Sequence, residues 1–126
     1  MDAIITTEQK RDYLFIKGSG SIVDSNDENE YAKNFYNEII KTNSRKVLID
    51  LINIDFRSSI VDQTETVSFY NKEFENKIRI VKIAIVVSPK DNELNEFLEL
   101  YANNRGYRWR VFTNIENAKE YLEIID

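Results

Sequence analysis

The sequence predicts one α/β domain: a mixed, mostly parallel sheet of about five strands with four helices, in the order β-β-α-β-α-β-α-β-α. Three observations predict it. Short β-branched apolar runs alternate with stretches whose apolar residues recur at helical spacing. One proline and three glycines in 126 residues leave little room for long loops. Right-handed crossovers over such short connections make successive strands parallel neighbours. No repeat, linker or low-complexity segment divides residues 1–126. A chain of this length buries a real core without disulfides or metals.

Ala3–Thr6 and Tyr13–Lys17 are β-prone runs around the polar stretch Thr7–Asp12, so they read as a hairpin at or near a sheet edge. Gly18-Ser19-Gly20-Ser21 reads as a turn. Ser25 and Glu28 match a capping box opening the first helix, with Tyr31, Ala32, Phe35, Tyr36, Ile39 and Ile40 on one apolar face. Lys41 and Arg45 lie at or beyond its end, where the helix dipole favours cations. Lys46–Ile52 is a strand, and Ser59 to Asn76 a helix whose stripe of Ile60, Thr64, Val67, Asn71 and Phe74 is only moderately apolar. Such a stripe suits a face that is partly exposed or covers a partner.

Ile83–Val87 is the most hydrophobic run and the candidate for an interior strand buried on both faces. Pro89 suits the first turn of the following helix. That helix carries Leu94, Phe97, Leu98, Tyr101 and Ala102 on one face, with Gly106 as its stop. Arg108–Phe112 alternates like a strand near the sheet's edge. Thr113 and Glu116 form a second capping box for the last helix, which carries Ile115, Ala118, Leu122 and Ile125.

Composition narrows the function. The net charge of −5 argues against nucleic acid and anionic membranes as partners. No apolar run approaches the roughly 20 residues of a membrane helix, and the N-terminus lacks the features of a signal peptide, so a cytoplasmic location is expected. The chain has no histidine and no cysteine. The commonest general base, the thiol nucleophile and most zinc or haem ligand sets are therefore missing. A non-enzymatic chain without cofactor or metal is expected.

The junction after Lys46–Ile52 is the most informative point. Asp55, Arg57, Ser58 and Ser59 stand where a strand hands over to a helix. Free N–H groups and the helix dipole make such a point hospitable to anions, and strand carboxyl ends are where partners dock in open α/β sheets.

The element order, the entry Gly20-Ser-Ile-Val-Asp24 and the strand Lys46-Val-Leu-Ile-Asp50-Leu resemble the STAS superfamily of sulphate-transporter and anti-sigma-factor-antagonist domains. The tail from Val111 to Leu122 resembles the STAS-like branch grouped with Sec14-type lipid-binding domains, with Tyr121 where that branch commonly has tryptophan. The resemblance covers nearly the whole chain. It implies a protein-interaction or regulatory module whose partner is another protein, such as an anti-sigma-type kinase. It also implies a phospho-acceptor hydroxyl at the start of the second helix, at Ser58 or at Ser59. An Asp-Ser-Ser-Gly-like signature is altered here: Arg57 replaces the acid and Ile60 the glycine. The switch would then be degenerate, with a serine cap as the structural role of the pair. The Sec14-like tail implies an alternative, a small-molecule or lipid-binding domain.

Three further features have structural readings. Asp50 within an apolar strand must be hydrogen-bonded, and backbone N–H groups or a lysine are the expected partners. Asp24, Asp27, Glu28 and Glu30 lack the regular spacing of a calcium loop and fit dipole compensation. Arg105, Tyr107, Arg108, Trp109 and Arg110 interleave cations with aromatics, yet strand alternation predicts Trp109 packed under a helix and the arginines in solvent. The composition is compatible with self-association.

Overall fold

The computed structural model describes residues 4–57, 79–104 and 106–124. Five strands form one sheet: β1 (Ile4–Gln9), β2 (Leu14–Ile22), β3 (Lys46–Phe56), β4 (Lys82–Val86) and β5 (Arg108–Phe112). Their spatial order follows the chain, β1-β2-β3-β4-β5. The β1–β2 pair is antiparallel and every other pair is parallel. The described α-helices are α1 (Ser25–Thr42), α2 (Asn92–Asn103) and α3 (Ile115–Leu122), and a 3-10 turn at Pro89–Asp91 precedes α2. The expected helix over residues 59–76 lies outside the described residues, so the expected count of four is not reached among them.

Side-chain alternation divides the core between the two faces of the sheet. One face carries Leu14, Ile16, Val47, Ile49 and Ile83, packed with Tyr31, Tyr36 and Ile39 of α1 and Ala102 of α2. The other carries Leu48, Ala84 and Val86 beneath Ala118 and Leu122 of α3. Burying a side chain such as Leu48 or Leu122 fully contributes about 1.5–3 kcal/mol. β4 holds Ile83, Ala84 and Val86 in these two layers at once, as expected of an interior strand.

Several local expectations are corrected. Residues 18–21 are not a turn: β2 runs through them to Ile22. Gly18 lies under Tyr31, and a methyl group there would collide with the Tyr31 hydroxyl. β1 continues to Gln9, which shortens the polar connection to residues 10–13.

β3 continues past Ile52 to Phe56. Its register explains why alternation concealed this. Between Lys17 and Ser19 β2 advances two residues, while β3 advances three, from Asp50 to Asn53. The extra residue is a β-bulge that changes the phase of the strand. Ile54 and Phe56 thereby join the same core face as Val47, Ile49 and Leu51.

Both helix caps fall one residue from the expected position. Asp24, not Ser25, caps α1: the Asp27 N–H donates to Asp24 Oδ1 at 3.0 Å, and the Val23 N–H donates to Asp27 Oδ2 at 3.1 Å. Asn114, not Thr113, caps α3 and accepts from the N–H groups of Glu116 and Asn117 at 2.7 and 3.2 Å. Asparagine reaches the N2 and N3 amides from an extended backbone as well as serine or threonine does. α1 closes with Asn43 in the left-handed region at φ 53°, where the short amide side chain is tolerated.

Candidate protein-interaction site

The carboxyl ends of β2 and β3 and the 3-10 turn before α2 converge at one end of the sheet. The Arg57 N–H donates to the Ile22 carbonyl at 2.7 Å and ties the end of β3 to that of β2. Asp55, aligned with Ser21 of β2 across the ladder, lies between two cations. Arg57 Nε is 2.7 Å from Asp55 Oδ2, and Lys90 Nζ is 3.9 Å from Asp55 Oδ1. The side chains of Arg57 and Lys90 are 64% and 66% exposed. Exposed pairs of this kind contribute about 0–1 kcal/mol each. They add little to stability and can rearrange around a bound surface at small cost. Val23, 49% exposed, adds an apolar residue beside the start of α1.

Of the expected site residues, Asp55 and Arg57 are brought together. Ser58 and Ser59 lie outside the described residues. Arg57 is paired with Asp55 within its own strand end, so its guanidinium is already engaged by a carboxylate. Lys90 was not singled out by sequence reasoning, because it lies 35 residues from Asp55 in the chain. The local signal for its turn is the spacing of Ser88 and Asp91. The Ser88 hydroxyl contacts Asp91 Oδ2 at 3.0 Å, the Asp91 N–H donates to the Ser88 carbonyl at 3.0 Å, and Asn95 Nδ2 donates to the Asp91 carbonyl at 2.8 Å. Asp91 and Asn95 are both buried, so this network fixes the turn that presents Lys90.

Asp50 has a structural task. It is buried, and its Oδ1 accepts the Ile52 N–H at 3.1 Å. Ile52 belongs to the bulge, where the ladder is disrupted, and the carboxylate takes up this N–H. Asp24 and Asp27 are engaged in capping α1.

Trp109 and Arg110 of β5 lie on opposite faces of the sheet, and Phe112 shares the face of Arg110. Trp109 is half-buried, 6.4 Å from the Tyr36 ring of α1 and 5.4 Å from that of Tyr107. On the other face Arg110 pairs with Glu99 at 3.5 Å and lies 5.6 Å from the centre of the Tyr121 ring. Lys82 Nζ is 4.4 Å from that ring. Burial raises the Tyr121 phenol above its ordinary value, while Arg110 and Arg108 act in the opposite direction. Cations and rings here hold α3 to the sheet instead of forming a stacking platform for bases. Arg105 lies outside the described residues.

A cleft of about 380 Å³ lies at the opposite end of the sheet, lined by Ile39, Ile40, Ile80 and Val81 with Ser44 and Arg45. Among the described residues no helix is long and apolar enough to cross a membrane.

No family model and no curated protein matches the chain. Solved structures do. An anti-sigma factor antagonist from Mycobacterium paratuberculosis aligns with a TM-score of 0.66 at 11% identity, over 96% of this chain and 94% of that one. An uncharacterised DUF3478-family protein with a SpoIIAA-like fold, from Shewanella loihica, aligns at 0.58 with 21% identity, over 95% and 93%. The anti-sigma factor antagonist SpoIIAA in its unphosphorylated form aligns at 0.53 with 13% identity, over 97% and 100%. The chain therefore has the SpoIIAA-like, STAS-type fold, as its resemblance to that superfamily implies.

Proposed function

We propose that this chain is a non-enzymatic, cytoplasmic regulatory module that acts by binding another protein at the carboxyl ends of β2 and β3. In this reading residues 1–126 form one STAS-like domain. The observation that carries the reading is the exposed Asp55–Arg57–Lys90 cluster with Val23 beside it, at the edge where α/β sheets dock partners. The antagonist names of the similar structures favour a protein as the partner and an anti-sigma-type regulator as its class. Ser58 and Ser59, next in the chain after Arg57, would serve as partner contacts or as acceptors of a degenerate phospho-switch. A phosphoryl group on either would add negative charge and strong acceptor oxygens one or two residues after Arg57 in the sequence.

Site-specific photo-crosslinking in the native host tests the proposal. A crosslinker at Val23 or Lys90 should capture one protein, and the same group at the exposed Leu100 of α2 should not. Asp55→Arg and Ser59→Asp should each reduce capture at least about tenfold, or about 1.4 kcal/mol. Equal capture from Leu100, or no response to either substitution, would refute the assignment.

One observation favours the small-molecule or lipid reading. The cleft beside Ile39, Ile40, Ile80 and Val81 has an apolar wall with Arg45 among its lining residues, a combination suited to an anionic amphiphile. Native mass spectrometry of the purified chain would then show a retained ligand that Arg45→Glu releases.

A further inference from the structure

The two edges of the sheet are treated differently. At β5 the outward backbone is covered by side chains of α2: the Val111 N–H donates to Glu99 Oε2 at 2.6 Å, and Asn103 Nδ2 donates to the Trp109 carbonyl at 2.9 Å. β1 has no such cover among the described residues. Its six residues pair with β2 without a register break, from Ile4 with Ser19 to Gln9 with Leu14. It contains no proline, lysine or bulge, the usual devices that blunt an edge. The Lys10 N–H donates to the Tyr13 carbonyl at 2.9 Å, which fixes the alternation of the ladder. Lys10, Glu8, Thr6 and Ile4 direct their main-chain groups toward β2, and Gln9, Thr7 and Ile5 direct theirs outward.

We propose that β1 is a self-pairing edge, joined antiparallel to β1 of a second copy of this chain about a two-fold axis at Thr7. The parity of the outward groups restricts the register. With Thr7 opposite Thr7, Ile5 faces Gln9 of the second copy, and about six main-chain hydrogen bonds form. On the alternate positions Thr6 faces Glu8, and Ile4 faces the aliphatic stem of Lys10. No like charges are directly opposed, and each Glu8 keeps its own Lys10 at 3.3 Å. The paired Thr side chains are β-branched, which suits neighbouring strands. A second copy meets these conditions by symmetry, because every donor on one edge finds its equivalent acceptor on the other. The result is one continuous sheet that leaves the Asp55 end of each copy open.

Sedimentation velocity of the full chain, from about 1 to 200 µM, should show a mass rising from 14.9 kDa toward about 30 kDa. Thr7→Pro removes an N–H that points away from β2, so the β1–β2 ladder survives while pairing is blocked. It should stay at the monomer mass with an unchanged circular dichroism spectrum. Thr7→Lys places two cations on the axis and should weaken association at least about tenfold. The chain contains no cysteine. Thr7→Cys should therefore give a disulfide-linked dimer under mild oxidation, since hydrogen-bonded antiparallel pairs lie about 5.5 Å apart at Cα, within disulfide range. Thr6→Cys, opposite Glu8, should not. A wild-type chain that stays monomeric to 200 µM overturns the proposal. So does a dimer indifferent to Thr7→Lys, or equal crosslinking from Thr6→Cys and Thr7→Cys. If Thr7→Pro fails to fold, the lysine and cysteine variants still decide.

Discussion

Replacing Asp50 by alanine is expected to destabilise the chain by about 1.5–2 kcal/mol and to loosen the distal half of β3. A hydrogen bond from a backbone N–H to a charged acceptor contributes about 1.5–3 kcal/mol. The Ile52 side chain is exposed at the sheet surface, so water can partly replace the carboxylate, which places the cost in the lower half of that range. Such a loss corresponds to a fall in Tm of about 6–8 °C for a chain of this size. Asp50→Asn keeps an acceptor near Oδ1 and forfeits only the charge assistance, so it should recover about half of the loss. Urea unfolding followed by circular dichroism measures the stability. Amide hydrogen exchange at Ile52 reports the bond itself, with protection in wild type and rapid exchange in Asp50→Ala. The consequence reaches the candidate site, because the bulge sets the phase that brings Ile54 and Phe56 to the core and aligns Asp55 with Ser21. An Asp50→Ala chain within about 0.5 kcal/mol of wild type, with Ile52 still protected, would refute this account.

Two more outcomes follow from packing and capping. Gly18→Ala should cost about 1–2 kcal/mol by equilibrium unfolding, since the new methyl meets the Tyr31 hydroxyl and Leu51 Cδ2, the latter at 3.1 Å. In a Tyr31→Phe background the cost should fall by at least about half, and an unchanged cost would locate the strain elsewhere. Asn114→Ala should lower stability by about 1 kcal/mol, whereas Thr113→Ala should stay within about 0.5 kcal/mol of wild type. The reverse ranking would restore Thr113 as the cap.

The starts of α1 and α3 were readable to within a residue because caps and dipoles are local chemistry, whereas α2 begins at Asn92, after the 3-10 turn that Pro89 opens. Ser25 was the expected cap of α1; the extended backbone at Asp24, whose carboxylate accepts the Asp27 N–H, makes Asp24 the cap instead. The Gly18–Ser21 stretch read as a turn because glycine and serine are turn residues. In the fold Gly18 instead makes room for Tyr31 of α1. Asp55 and Arg57 were identifiable from their place after a strand, whereas Lys90 depended on a turn much later in the chain.

By itself the sequence determined the order of the five strands and of the helices among the described residues, the two-layered burial of β4, the edge position of the β1–β2 hairpin and the buried task of Asp50. Each follows from periodicity or from the cost of leaving a polar group unpaired, and both act over a few residues. The tertiary structure decided the bulge in β3, the meeting of Asp55 with Lys90 and, among the described residues, the unequal protection of β1 and β5. These depend on which strands lie side by side and on what α1 and α2 place over them. Alternation within one segment carries no information about a neighbour's register, and a phase change in β3 becomes visible only against β2.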